Sequence, residues 1–165
     1  MPEQIAFLGF GEAARAMWDS LREVAPGMSA SAWDIKLNGP EEESMRQAMA
    51  ERGVTAAGGP TELGDAQWIF SAVTADQSLV AAQSSLEGLR PGCLLLDVNS
   101  VSPDRKRATA LQVEATGARY ADLAIMAPIL PRGHRTPMLL AGPDMEKLLP
   151  ELQQLEFDVG GAGER

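Results

Sequence analysis

Strand-length apolar runs alternate with helix-period stretches along the whole chain. Ile5-Ala6-Phe7-Leu8 is continuously apolar, as in a strand covered on both faces. After a glycine turn, Ala13, Ala14, Met17 and Leu21 recur at helical spacing, with Arg15, Asp19 and Arg22 on the other side. Ser31 to Ile35 reads as a second strand, and Glu41 to Arg52 as a helix carrying Met45, Ala48 and Met49 inward. Its acids Glu41, Glu42 and Glu43 fall in the first turn, where the helix dipole favours negative charge. Gly53-Val54-Thr55 is a short third strand, and Thr61 to Leu63 a helical turn ended by Gly64. Trp68 to Val73 and Cys93 to Asp97 are apolar enough for central strands, with a helix between them from Thr74-Ala75-Asp76 to about Leu86. Ser102 and Pro103 read as N-cap and first position of a helix reaching about Thr116, with Ala108, Leu111 and Ala115 inward. Arg105, Lys106 and Arg107 then form a solvated basic patch. A strand over Arg119–Ile125, a proline-rich loop from Met126 to Pro137, a short strand from Met138 to Gly142 and a helix from Pro143-Asp144 to about Leu155 complete the chain. Alternating strands and helices predict an α/β fold with a doubly wound, mostly parallel sheet and helices on both faces. Residues 1–158 read as one domain, and the glycine-rich 159–165 as an exit linker.

The first turn carries candidate chemistry. Gly9-Phe10-Gly11-Glu12-Ala13-Ala14 is a G-x-G-x-x-A pattern between a strand and a helix. Gly9 permits the tight turn, Gly11 lets a pyrophosphate approach the backbone, and Ala14 lets the helix pack closely on the sheet. The helix N-terminus offers unpaired N–H groups to the phosphates. Asp34 lies 20 residues past Ala14, where the fingerprint calls for a carboxylate on the adenosine ribose. A glycine turn alone is weak; the complete βαβ unit makes a Rossmann-type dinucleotide site the stronger reading.

Composition narrows the class. The 165 residues suit one domain with a sizeable core. A net charge of −9 argues against general nucleic-acid affinity, since no basic tract offsets it. The single cysteine, Cys93, cannot form an internal disulfide; it reads as a core residue and fits a reducing cytoplasm. No apolar run is long enough to span a membrane, so a cytoplasmic location is expected. No cysteine–histidine spacing suggests zinc, and no G-x-S-x-G suggests a hydrolase.

Three stretches resemble the 6-phosphogluconate dehydrogenase and 3-hydroxyisobutyrate dehydrogenase (β-hydroxyacid dehydrogenase) superfamily. They are the glycine turn with Asp34, Asp97-Val98-Asn99-Ser100-Val101-Ser102-Pro103, and Asp122-Leu123-Ala124-Ile125-Met126-Ala127-Pro128. The likeness is greatest to a branch known as NAD(P)-dependent oxidoreductases and covers about residues 4 to 158. It implies an N-terminal NAD(P)-binding domain, an oxidoreductase moving hydride between nicotinamide and a small hydroxy acid or sugar acid, and a homodimer as the full-length form.

Two departures qualify it. Relatives have Ser-Gly-Gly where Met126-Ala127-Pro128 stands, and Pro128 has no N–H with which to hold a substrate carboxylate. The family's catalytic lysine lies on the first helix of a C-terminal domain beyond Arg165, while Lys36, Lys106 and Lys147 read as solvated surface residues. No catalytic residue is therefore assigned in this chain, and little turnover is expected from it alone.

Rossmann geometry distributes the remaining roles. Gly9, Phe10, Gly11, Glu12, Ala13 and Ala14 would line the pyrophosphate, Asp34 the adenosine ribose, Val73-Thr74-Ala75 a wall on the adenine side, and Asn99 the nicotinamide ribose. Ser100 would meet the carboxamide or the substrate, and Met126 the substrate. His134 reads as an exposed loop residue or a substrate contact, with Arg132 and Arg135 as anion binders. Asp34 favours NAD over NADP, and Lys36, on the same strand face, would soften that preference. Alternative readings are a non-catalytic dinucleotide sensor and a deazaflavin-dependent NADP reductase-like domain, with a methyltransferase a poor fourth.

Overall fold

The structure, a computed structural model, describes residues 2–74 and 77–163. Its strands are β1 (Gln4–Leu8), β2 (Ser29–Trp33), β3 (Val54–Ala56), β4 (Trp68–Ser71), β5 (Leu94–Asp97), β6 (Arg119–Ile125), β7 (Met138–Ala141) and β8 (Val159–Gly163). The helices are α1 (Glu12–Val24), α2 (Glu42–Ala50), α3 (Ser78–Ser85), α4 (Pro103–Glu114) and α5 (Met145–Gln154). All strands join one sheet in the order β3-β2-β1-β4-β5-β6-β7-β8. The first six in chain order run parallel; β7 is antiparallel to β6, and β8 parallel to β7. This is the doubly wound Rossmann arrangement, with the strand order reversing between β1 and β4.

Both faces are covered, as continuous apolar strands require. Ile5, Ala6, Phe7 and Leu8 alternate sides, yet none is more than 1% exposed. On one face Phe7 stacks on Phe70, which stacks on Phe157, and Trp18 of α1 meets Phe7 edge-on. The opposite face carries a row of strand neighbours, Leu8, Ser71, Asp97 and Asp122, against which α4 packs through Lys106. No helix among the described residues is long and apolar enough to cross a membrane.

Three expectations need correction. Residues 159–163 are not linker but β8, which covers the edge of β7. A Cβ on Gly161 would lie 2.7 Å from the terminal methyl of Met145 on α5, so α5 covers this strand closely. The inward face of α4 is Lys106, Thr109 and Val113, while Leu111 is 73% exposed. Its alanines fit either phase, and the buried acids on β5 and β6 decide the rotation. Finally, β2 ends at Trp33, and a 3₁₀ turn over Ile35–Asn38 follows with Asp34 as its cap.

Candidate functional site

The glycine turn sits at the strand-order reversal. Gly9 has φ +91°, and a Cβ there would lie 2.4 Å from the Ala72 carbonyl oxygen. Backbone conformation and packing on the β4 exit therefore both demand glycine. Gly11 is different. Its φ is −87°, accessible to any residue, and a Cβ there would meet nothing within 4 Å. Nothing in the fold calls for glycine at this exposed position. Gly11 is also the N-cap of α1, with no side chain to cap the free N–H groups of the first turn. Glu12 is exposed, Ala13 half-buried and Ala14 fully buried against the sheet.

Asp34 closes the turn from the β2 side. Its Oδ2 accepts the Phe10 N–H at 2.8 Å, and its Oδ1 accepts the Lys36 N–H at 2.9 Å. Phe10 is thus fixed by its backbone to Asp34 while its ring is buried in the core. Arg15 donates from Nε to the Phe10 carbonyl at 2.9 Å and lies over the Phe10 ring. A cavity of about 450 Å³ opens here, lined by Gly11, Glu12, Arg15, Asp34, Lys36 and Met45 among others. Lys36 does not share a strand face with Asp34, because the chain has turned into the 3₁₀ segment; its Nζ lies 3.7 Å from Glu41 instead.

Across the reversal, the β4 and β5 exits are stitched together by Asn99. Its Oδ1 accepts the Val73 N–H at 2.7 Å, and its Nδ2 donates to Ser71 Oγ at 3.1 Å and Asp97 Oδ1 at 2.9 Å. Asn99 is 5% exposed, so this amide holds the loop rather than projecting into solvent. Asp97 also accepts the Asn99 N–H and the Tyr120 hydroxyl, at 3.0 and 2.7 Å. Lys106, expected on the surface, is buried: its Nζ lies 2.5 Å from Asp122 Oδ1, 3.7 Å from Asp97 Oδ1 and 3.3 Å from the Asp97 carbonyl. Charge type alone hid this residue. A signal was present, since two acids ending adjacent central strands need a cation nearby. Val73 is half-buried, while Thr74, Ser100 and Met126 are exposed; Ala75 lies outside the described residues.

His134 overturns both expectations for it. It is fully buried in a 3₁₀ turn over Gly133–Arg135, with Nδ1 2.6 Å from Ser20 Oγ and Nε2 2.7 Å from the Leu155 carbonyl oxygen. The ring ties the β6–β7 connection to α1 and has no nitrogen left for a substrate. Burial pushes its pKa below the ordinary 6.5, opposed by the bond to Leu155. Arg135 pairs with Glu156 at 3.0 Å, and Arg132 is exposed. Cys93 is buried, and burial raises its thiol to about 11 against the opposing pull of Arg119. Among the described residues no group of acids, histidines or cysteines is arranged to hold a metal ion.

No model of a protein family matches this chain, and no curated protein matches it. Solved structures do. A conserved hypothetical protein from Sinorhizobium meliloti 1021 superimposes with a TM-score of 0.91 at 28% identity, over 100% of this chain and 55% of that one. The 3-hydroxyisobutyrate dehydrogenase of Mycobacterium tuberculosis gives 0.82 at 19% identity, over 99% and 55%. An imine reductase from Myxococcus stipitatus, solved with NADP+, gives 0.73 at 22% identity, over 98% and 55%. The chain thus has the fold found in hydroxyacid dehydrogenases and imine reductases. It spans about 55% of the length of these neighbours.

Proposed function

We propose that this chain is the NAD(P)-binding domain of a cytoplasmic oxidoreductase of the β-hydroxyacid dehydrogenase type. The observation that carries the reading is Gly11. Neither backbone strain nor packing requires glycine there, and the space at its Cα, beside the free N–H groups of α1, is open to a group from outside the chain. A pyrophosphate fits, because the uncapped first turn of α1 supplies N–H donors and the positive end of the helix dipole. Asp34 stands on the adenosine side, its carboxylate oriented by two backbone N–H groups and keeping acceptor capacity for ribose hydroxyls. NAD is favoured over NADP, since Lys36 is turned towards Glu41 and leaves the Asp34 charge standing. The NADP+ held by the Myxococcus stipitatus neighbour supports the dinucleotide class rather than the choice within it.

The bound nicotinamide would supply hydride chemistry; the chain's own contribution is to bind and orient it. A substrate hydroxyl needs a base, and the lysines offer none: Lys106 is held by Asp97 and Asp122, Lys36 faces Glu41, and Lys147 lies on exposed α5 surface. The resemblance to the β-hydroxyacid dehydrogenases implies a lysine from a second domain for turnover on a small hydroxy acid, with Ser100 and Met126 lining the substrate side. Titration of the chain with NADH and NADPH tests the reading. Preference for NADH, lost in Asp34→Ala, supports it; binding of neither dinucleotide overturns it.

A further inference from the structure

The buried ion cluster beneath the β5 and β6 exits is not explained by dinucleotide binding as such. Asp97 and Asp122 are register partners on neighbouring strands, so their carboxylates leave the same face of the sheet roughly 4.8 Å apart at the backbone. Both are buried, and like charges so placed repel strongly unless a cation joins them. Lys106 reaches in from the first turns of α4 to do so, ion-paired with both acids and donating to the Asp97 carbonyl.

The cluster leads to the crevice. Asp97 Oδ1 takes both the backbone and side-chain N–H of Asn99, and Asn99 Oδ1 takes the N–H of Val73. Val73 borders the glycine turn: a Cβ on Gly9 would lie 2.6 Å from its Cγ1. A continuous path of ion pairs and hydrogen bonds thus runs from Lys106 to the wall of the crevice at the strand-order reversal. Its members all lie on the β4–β5–β6 half. The β1–β2 half, with Gly11 and Asp34, has its own bonds to Phe10 and Lys36.

We propose that Lys106 is a positioning residue for the second mononucleotide half of the site. By neutralising Asp122, it leaves Asp97 free to orient Asn99 against the nicotinamide mononucleotide; Val73, bonded to Asn99, is thereby assigned to this half instead of the adenine side expected from the sequence. In a dinucleotide fold the two halves of the sheet each take one mononucleotide, so the adenosine half should not feel this cation. The inference rests on the dinucleotide reading above. Without Lys106 the two carboxylates part, Asp97 releases Asn99, and the wall behind the nicotinamide ribose loosens.

The experiment compares NADH with ADP, which lacks both the ribose and the base of the nicotinamide half, on wild type, Lys106→Met and Lys106→Met/Asp122→Asn. The expected result is a Kd for NADH at least fivefold weaker in Lys106→Met, with that for ADP within twofold. The double variant, which removes the surplus carboxylate, should recover most of the loss. A structural role alone would lower the melting temperature and weaken both ligands together, or neither, and that overturns the proposal. So does a folded double variant as weak towards NADH as the single one. If Lys106→Met does not fold, Tyr120→Phe removes one donor to Asp97 and no charge. An unchanged ratio of NADH to ADP affinity in that variant also overturns the proposal. Wild-type protein that binds neither ligand would overturn the dinucleotide reading itself, and this inference with it.

Discussion

Replacing Gly11 by alanine separates what the fold needs from what a ligand needs. The added methyl group meets no protein atom within 4 Å, and φ of −87° suits alanine. Two small effects on stability oppose one another. Alanine restricts the unfolded chain, a gain of about 0.4–1 kcal/mol. It is also a poorer N-cap than glycine, a loss of about 0.5–1 kcal/mol. The net change should stay within about 0.5 kcal/mol, the range of ordinary surface substitutions. Binding should respond quite differently. A methyl group where a pyrophosphate must approach the backbone acts as overpacking, costing about 1–3 kcal/mol. That corresponds to roughly fivefold to 150-fold in Kd. Gly9→Ala is the counterpart: its methyl would lie 2.4 Å from the Ala72 carbonyl oxygen at φ +91°. Backbone strain of about 1–2 kcal/mol and overpacking of about 1–3 kcal/mol should then destabilise the fold outright. Urea unfolding gives the stabilities, and quenching or enhancement of NADH fluorescence the affinities. If Gly11→Ala folds normally and binds NADH as wild type does, the glycine is incidental and the reasoning fails.

Asp34→Ala should narrow the NADH preference by up to a hundredfold, since a carboxylate about 4 Å from a 2′-phosphate contributes at most about 4 kcal/mol before screening. Isothermal titration with both dinucleotides measures it, and an unchanged ratio would place discrimination elsewhere. The His134 pKa is depressed in the folded protein, so the unfolded chain takes up that proton first. Its contribution to stability should be complete above pH 6.5 and fall as pH drops below it; His134→Gln should show a flatter profile in urea melts between pH 7 and about 5. Cys93, raised to about 11 by burial, should resist a thiol reagent at about pH 8 until the protein is unfolded. Rapid labelling of native protein would mean that the strand start is open.

Periodicity and local turn chemistry made much of this fold legible. The β6 strand runs over Arg119–Ile125 as read, and the Ser102–Pro103 helix start is observed with the Ser102 hydroxyl accepting the Arg105 N–H. The glycine turn is legible for the same reason: Gly9, Gly11 and Ala14 answer to constraints within a few residues of one another. Asp34, too, occupies the spacing expected of it, but it caps a 3₁₀ turn instead of lying within the strand.

What the sequence could not determine depends on distant partners. Lys106 looks solvent-exposed until β5 and β6 bring Asp97 and Asp122 to the same face, 9 and 16 residues away along the chain. His134 looks like a loop residue until α1 supplies Ser20, 114 positions earlier, and the α5 exit supplies the Leu155 carbonyl. The glycine-rich end reads as linker because glycine disfavours strands, yet the open edge of β7 and the side chains of α5 draw it into the sheet. Hydrophobic period and turn residues are local, so one chain segment is enough to specify them. Burial of a charge is decided by what lies across the sheet, and only the folded chain supplies that.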